Sequence, residues 1–263
     1  MISFDTPVVP YRILFVIPTL GNRLDTLVKT LASIESQRGV LVDILLVAKT
    51  ASPALSTIAD QYAAKVMIHP GNISEAINAG FAQANDSHRF VGWLGDDDML
   101  RPESLSYASS VLESNPLAVV AYGSCDYINR DGDVLFTRRP PPGAPFLLQM
   151  VPGLIKQETC LFRLQALRQV GGLDEKIRYA MDLDLLLKLR RVGSFVRVDR
   201  IQAAFCWHAE SLTIANRSAS LAEAQDIQGR NSLGILRLLR PVWMYPIRLL
   251  IVAMSWKINR SLN

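Results

Sequence analysis

The first half of the chain alternates two hydrophobic patterns. Short continuous apolar runs with β-branched residues, "RILFVI" at 12–17, "VDILLVA" at 42–48, "KVMIH" at 65–69 and "RFVGWL" at 89–94, read as buried strands. Between them the apolar residues recur at helical spacing. Leu24, Leu27, Val28, Leu31 and Ile34 make one such stripe, and "NISEAINAGFAQA" at 72–84 reads as another helix. Ser52 and Pro53 supply an N-cap and a first helical position for a third. Near-continuous apolar strands with helices between them predict an α/β fold, a mainly parallel Rossmann-like sheet covered by helices on both faces. Ligands of such sheets gather at the carboxyl ends of the strands. Three stretches should therefore meet on one rim: Pro18 and Thr19, Lys49 and Thr50, and the run Asp96, Asp97, Asp98 in "VGWLGDDDML".

Beyond residue 102 the regularity weakens. "PESLSYASSVLES" reads as a helix opened by Pro102, "AVVAYG" at 118–123 as a strand, and "RRPPPGAP" at 138–145 as a loop of the kind that borders a site. A helix is expected from about Asp182 to Val192, and "FVRVDRIQAAFCW" at 195–207 supplies one or two late strands. Composition narrows the class. Over 263 residues, 49% hydrophobic and 20% charged, with a mean hydropathy of +0.18, the chain is globular and its greasiness hints at a membrane-facing surface. Cys125, Cys160 and Cys206 form no CxxC pair and cannot all pair with one another, which suits a reduced cytosolic setting. The first residues, broken by Asp5, Pro7 and Pro10, do not read as an export signal.

Three adjacent carboxylates are costly: two unit charges about 4 Å apart repel by roughly 1 kcal/mol in water and about 4 kcal/mol near a protein surface. A divalent cation would offset the repulsion and bridge to substrate phosphates, making a diphosphate a better leaving group. The competing reading is a surface turn in which the aspartates cap the helix entered at Pro102. Capping needs one aspartate and leaves the other two unexplained.

With these residues in view, the chain resembles the family 2 glycosyltransferases, inverting enzymes of the A-type glycosyltransferase fold. The matching stretches are "FVIPTLGNR", "GNISEAINAGFAQA", "WLGDDDMLRP", "QETCLFRLQALRQVGGLDE", "YAMDLDLLLKL" and "CWHAESLT", in that order over roughly residues 12–215. The resemblance implies transfer of a sugar from a nucleotide-sugar donor to a hydroxyl acceptor, with inversion and with Mg or Mn as cofactor. It implies that Asp98 holds the metal, with Asp96 or Asp97 near the ribose or a metal-bound water. Thr19 matches the loop along the nucleoside, and Asn78 a position that often faces the donor, although a plain helix-face amide explains Asn78 as well. Asp182 matches the aspartate of the family's Glu-Asp pair and is the expected catalytic base, since inversion needs one group to take the acceptor's proton. Asp184, two residues on, should point elsewhere. His208 and Gln157 are candidates for the acceptor or diphosphate side.

Two departures stand out. The second strand leads into "LLVAKTASP" where the family usually has an aspartate that reads the nucleobase, so Lys49 or Thr50 would substitute, or the donor is not a uridine nucleotide. Met181 stands where an acid usually precedes the base. The expected division is a catalytic domain over 1–215, with a nucleotide-sugar half to about 123 and an acceptor half over 124–215, followed by a C-terminal helical tail over 216–263. After Asp226 the tail has no acids and six bases, and it mixes them with Trp243, Tyr245 and Trp256. Arg240, Arg248 and two prolines break its apolar stretches, so it suits a helix lying in the headgroup region rather than a span, or a hairpin packed on the catalytic domain or on a second subunit of a homo-oligomer. The expected setting is the cytoplasmic, inner face of the cell membrane, with a glycan or lipid-linked acceptor and no nucleic-acid partner. A sugar-phosphate nucleotidyltransferase and a non-catalytic binding module are the rival readings; the absence of GxGxxG after the first strand disfavours a dinucleotide-dependent oxidoreductase.

Overall fold

The computed structural model describes residues 11–207 and 216–231. Its first half follows the apolar pattern closely. Strands β1 (Tyr11–Thr19), β2 (Val40–Ala48), β3 (Lys65–Ile68) and β4 (Phe90–Trp93) alternate with helices α1 (Leu24–Glu35), α2 (Pro53–Gln61) and α3 (Ile73–Phe81). All the pairs among these strands are parallel, in the order β3-β2-β1-β4. Along β1, Ile13, Phe15 and Ile17 belong to one buried cluster with α1 and α2, while Leu14 and Val16 belong to another with α3. A continuous apolar run is what a strand covered on both faces requires.

The helix boundaries have local causes. Asn72 accepts from the Glu75 amide at 3.0 Å and Glu75 accepts from the Asn72 amide at 2.5 Å, a capping box that opens α3. Pro53 does stand at the start of α2 behind Ser52, but the Ser52 side chain makes no capping bond.

The second half is mixed rather than parallel, which corrects the expectation of a mainly parallel sheet for the whole chain. It contains β5 (Met99–Leu100), α4 (Ser104–Ser114), β6 (Ala118–Ile128), β7 (Val134–Arg138), α5 (Ala144–Leu147), a 3-10 turn over Gln157–Thr159, β8 (Leu161–Arg163), α6 (Leu164–Val170), α7 (Met181–Leu189), β9 (Ser194–Cys206) and α8 (Arg217–Asn231). β8 lies antiparallel between β4 and β6, β9 runs parallel to β6, and the order continues β4-β8-β6-β9-β5 with β7 beside β6. The expected strand at 118–123 runs on to Ile128, and the expected late strands are one strand of 13 residues. Part of the Pro-rich stretch becomes β7 and α5: the central prolines separate the two, and Pro145 stands in the first turn of α5, where a missing amide donor is tolerated.

In α8, Ala224 and Ile227 are buried in the same cluster as Leu183 and Leu187 of α7, and the Gln228 amide donates to the Leu148 carbonyl at 2.8 Å. Helix α8, at the start of the segment expected as a tail, therefore packs on the same core as α7. The remainder of the tail, 232–263, lies outside the described residues.

Close packing between α3 and the sheet rests on Gly80. A Cβ there would stand 2.5 Å from Val16 Cγ1 and 3.2 Å from Val47 Cγ2. Alanine would favour the helix by about 1 kcal/mol, whereas overpacking a filled core costs about 1–3 kcal/mol. Gly80→Ala is expected to lower the urea midpoint of unfolding; a raised midpoint would show that propensity outweighs the packing here.

Candidate active site

The three aspartates occupy three different environments. At the end of β1 the Thr19 hydroxyl accepts from the Gly21 amide at 3.0 Å and donates to Asp96 Oδ2 at 2.6 Å. Arg23, at the entrance to α1, forks across the pair: one nitrogen meets Asp96 Oδ1 and the other Asp97 Oδ2, each at 2.5 Å. Asp98 turns the other way, is 5% exposed, and accepts the Cys206 amide on Oδ1 at 2.9 Å. Burial raises the pKa of Asp96 against the opposing pull of Thr19 and Arg23. Burial also raises Asp98 well above the carboxylate range, helped by the negative fields of Glu158 and Asp97 and opposed by the Cys206 amide and Lys156.

The segment after the run is held by polar residues of α1 and of the loop just after it. Thr30 donates to the Asp98 carbonyl at 2.7 Å, Ser33 accepts from the Leu100 amide at 3.0 Å, and Gln37, two residues past the end of α1, donates to the Arg101 carbonyl at 3.0 Å. Thr30 and Ser33 fall three apart, on one helix face. Gln37 Oε1 also accepts the Leu105 amide at 3.1 Å, at the start of α4. The helix N-cap position is Glu103, with no side-chain capping bond. Gln37 thus does the work that the surface-turn reading gave to the aspartates, and none of the three caps α4.

The opposite wall comes from the 3-10 turn and α7. Gln157 donates to the Trp93 carbonyl at 2.7 Å and is buried, so it braces the end of β4 from below. Its neighbours carry the charge. Lys156 pairs with Glu158 Oε1 at 3.2 Å and lies 4.0 Å from the centre of the Phe205 ring, a cation–π geometry. Burial alone would lower the Lys156 pKa, but Glu158, with smaller contributions from Tyr127, Cys125 and Asp182, raises it, so the ammonium stays charged. Among the described residues, Glu158 Oε2 is buried without a hydrogen-bond partner.

Asp182 sits in the first turn of α7. Burial raises its pKa, the Lys156 ammonium pulls it back, and the amides of Leu183 and of Asp182 itself add to that pull. Asp184 instead forms an ion pair with Lys188 at 3.0 Å, one helical turn on, so it does point elsewhere. Met181 packs toward α3, where its sulfur accepts the Ser74 hydroxyl at 2.8 Å.

The structure therefore brings Thr19, Asp96, Asp97 and Asp98 together, and links Asp98 and Asp182 through the field of the Lys156–Glu158 pair. Lys49 and Thr50 are exposed in the bend after β2, on the expected rim. Asn78 does not join them: its amide bonds the Leu173 carbonyl, the Leu173 amide and Glu175 Oε1 at 2.9–3.0 Å, so it ties α3 to the loop before α7. These bonds fit the helix-face amide reading of Asn78. His208 lies outside the described residues. Arg23, Lys156 and Glu158 are the functional residues that pattern reading missed. The available signals were a lone arginine in "GNR" and two charges flanking Gln157 in an otherwise apolar stretch.

Residues 15–166 match the family model described as glycosyl transferase family 2, more than half of the chain. The chain belongs to glycosyl transferase family 2. Among curated relatives it is 27% identical to a chondroitin synthase of Pasteurella multocida (strain Pm70) over 58% of this chain, and 30% identical to the O-antigen biosynthesis protein RfbC of Myxococcus xanthus over 48%. It spans only 16% and 10% of those proteins' own lengths. A crystal structure of S. aureus TarS 1-349 in complex with UDP-GlcNAc superposes with a TM-score of 0.64 at 14% identity, covering 84% of this chain and 66% of that one. The same TarS fragment without ligand in its description gives 0.62 and 65% of that chain. The likeness to TarS establishes the A-type fold. Family membership sets the nucleotidyltransferase reading aside.

The raised aspartates make a pH prediction. A carboxyl whose folded pKa exceeds its unfolded value binds more protons folded than unfolded, so its contribution to stability falls as pH rises from the unfolded value through the raised one. Asp98→Asn keeps an oxygen for the Cys206 amide and removes the buried charge. In metal-free buffer at pH 8 it is expected to melt above the wild type, with the gap closing as the pH falls toward the ordinary carboxylate range. A variant melting below the wild type at pH 8 would contradict the burial argument.

Proposed function

We propose that this family 2 glycosyltransferase moves a sugar from a nucleotide-diphosphate sugar to a hydroxyl acceptor with inversion, assisted by a divalent cation. The observation that carries the reading is the convergence of a buried Asp98 at the carboxyl end of β4 and Asp182 at the start of α7 on one Lys156–Glu158 pair. The relatives' names support a glycan product, and the TarS complexes with UDP-GlcNAc and UDP support a nucleotide-sugar donor.

The residues present suit a cation held mainly by substrate. Among the described residues no three ligating side chains meet. Asp98 Oδ2 bears no hydrogen bond among them and lies against Gly95, where a Cβ would stand 2.9 Å away. A cation such as Mg or Mn commonly takes one or two carboxylates and completes its shell with water and phosphate oxygens, so Asp98 would hold it. When bound, it would neutralise the leaving diphosphate.

The remaining steps belong to the chain. Thr19, fixed by Asp96, and the exposed Lys49 and Thr50 line the rim where the nucleoside would lie. Arg23 holds Asp96 and Asp97 apart from Asp98 in charge, leaving Asp98 to face the diphosphate. Asp182 takes the proton of the acceptor hydroxyl as its oxygen attacks the anomeric carbon from the face opposite the departing diphosphate. Burial strengthens Asp182 as a base, and the Lys156 ammonium opposes that shift.

The tail, 232–263, carries the reading of peripheral contact with the inner face of the cell membrane and a lipid-linked or cell-surface glycan acceptor. No helix among the described residues is long and apolar enough to cross a membrane. Asp98→Ala is expected to lose cation-supported diphosphate binding. Asp182→Asn is expected to keep that binding within about twofold and to lose roughly 10²–10⁴-fold in turnover. Wild-type turnover by Asp182→Asn would remove it from the role of base.

A further inference from the structure

Three consecutive backbone amides lead into α7, and all three end on one side chain from the C-terminal helix. Arg178 donates to Glu223 Oε1 at 3.0 Å, and Tyr179 and Ala180 donate to Glu223 Oε2 at 2.6 and 2.9 Å. Asp182 follows two residues later. The segment has no local substitute: the N-cap of α7 is Ala180, which has no side-chain oxygen to offer. A carboxylate receiving several amide hydrogens makes strong, charge-assisted bonds with defined geometry.

We propose that Glu223 is a positioning residue for Asp182, so that helix α8 sets the placement of the catalytic base. This rests on the assignment of Asp182 as that base. The rest of α8 is built to hold Glu223 steady. Ala224 and Ile227 are buried against α7, Gln228 is anchored on the Leu148 carbonyl, and the Asn231 amide closes onto the Ile227 carbonyl at 2.9 Å. Asp226 and Arg230 pair on the exposed side and take no part.

The arrangement has a consequence for control. Residues beyond Asn231 continue directly from α8, so whatever engages them pulls on the helix that fixes the base. Displacing a reacting group by about 1 Å costs on the order of 10²-fold in rate. A shift of α8 is therefore read at Asp182 with little effect on the nucleotide rim, which is built from β1, β2 and β4.

The test uses the full chain, Mn, and a panel of UDP-, GDP-, CDP- and dTDP-sugars, following diphosphate release by hydrolysis. Glu223→Ala is expected to lower kcat by about tenfold or more, with the donor KM and the diphosphate affinity within about twofold of wild type. Glu223→Gln keeps one accepting oxygen and should recover much of the rate; Asp226→Asn should match the wild type. If the alanine variant does not fold, Glu223→Asp, which withdraws the carboxylate by one methylene, carries the test: a lower kcat is expected, and a lower melting temperature with wild-type kcat would mark a purely structural staple and overturn the inference. Loss of turnover in Asp182→Asn with wild-type kcat in Glu223→Ala overturns the inference alone. Wild-type turnover in Asp182→Asn, or no turnover of any donor by the wild type, overturns the base assignment and this inference with it.

Discussion

Everything at this site depends on holding three adjacent carboxylates at the end of a buried strand. The fold treats them unequally. Asp96 and Asp97 are neutralised by one forked guanidinium, and a planar fork suits that task in a way an ammonium would not. Asp98 is left with a single amide and the repulsion of Glu158, so it is the carboxyl with most to gain from a cation. On the proposed reading, the separation turns a repulsive run into one cation ligand beside a satisfied pair.

That poise requires a rigid frame. Thr30 and Ser33 of α1, with Gln37 just past its end, fix the backbone from residue 98 to 101, and the pairing of Met99 and Leu100 with β9 brings the Cys206 amide onto Asp98. Gln157 braces the last residue of β4 from the other side. The two halves of the sheet are thereby locked at the point where donor and acceptor chemistry meet. Lys156, whose side chain is partly buried, supplies a positive charge that acts on both Asp98 and Asp182.

The parts of this arrangement that could be read from the sequence are those written in continuous local patterns. Strands β1, β2 and β4 are apolar runs, β3 is a short exposed edge, and their carboxyl ends identify the rim. The second half was less legible because its signals are short. β5 has two residues and β8 three, too few for any period to show, and both exist only through pairing with distant strands. Nothing local reveals that the Asn78 amide meets residues 173–175. Arg23 and Glu223 were invisible for the same reason: their partners lie 73–74 and 43–45 positions away. Helix α8 docks through Glu223 and Gln228, with Ala224 and Ile227 beneath.

The central claim is that the aspartate run holds a cation which in turn holds a nucleoside diphosphate. Calorimetric titration of the wild-type chain with UDP, GDP, CDP and dTDP, each in Mn and in excess chelator, tests it most directly. Binding of one diphosphate that disappears in chelator is the predicted result, and it would also identify the nucleobase that the exposed end of β2 accepts. Equal binding with and without the cation, or none at all, would contradict the account.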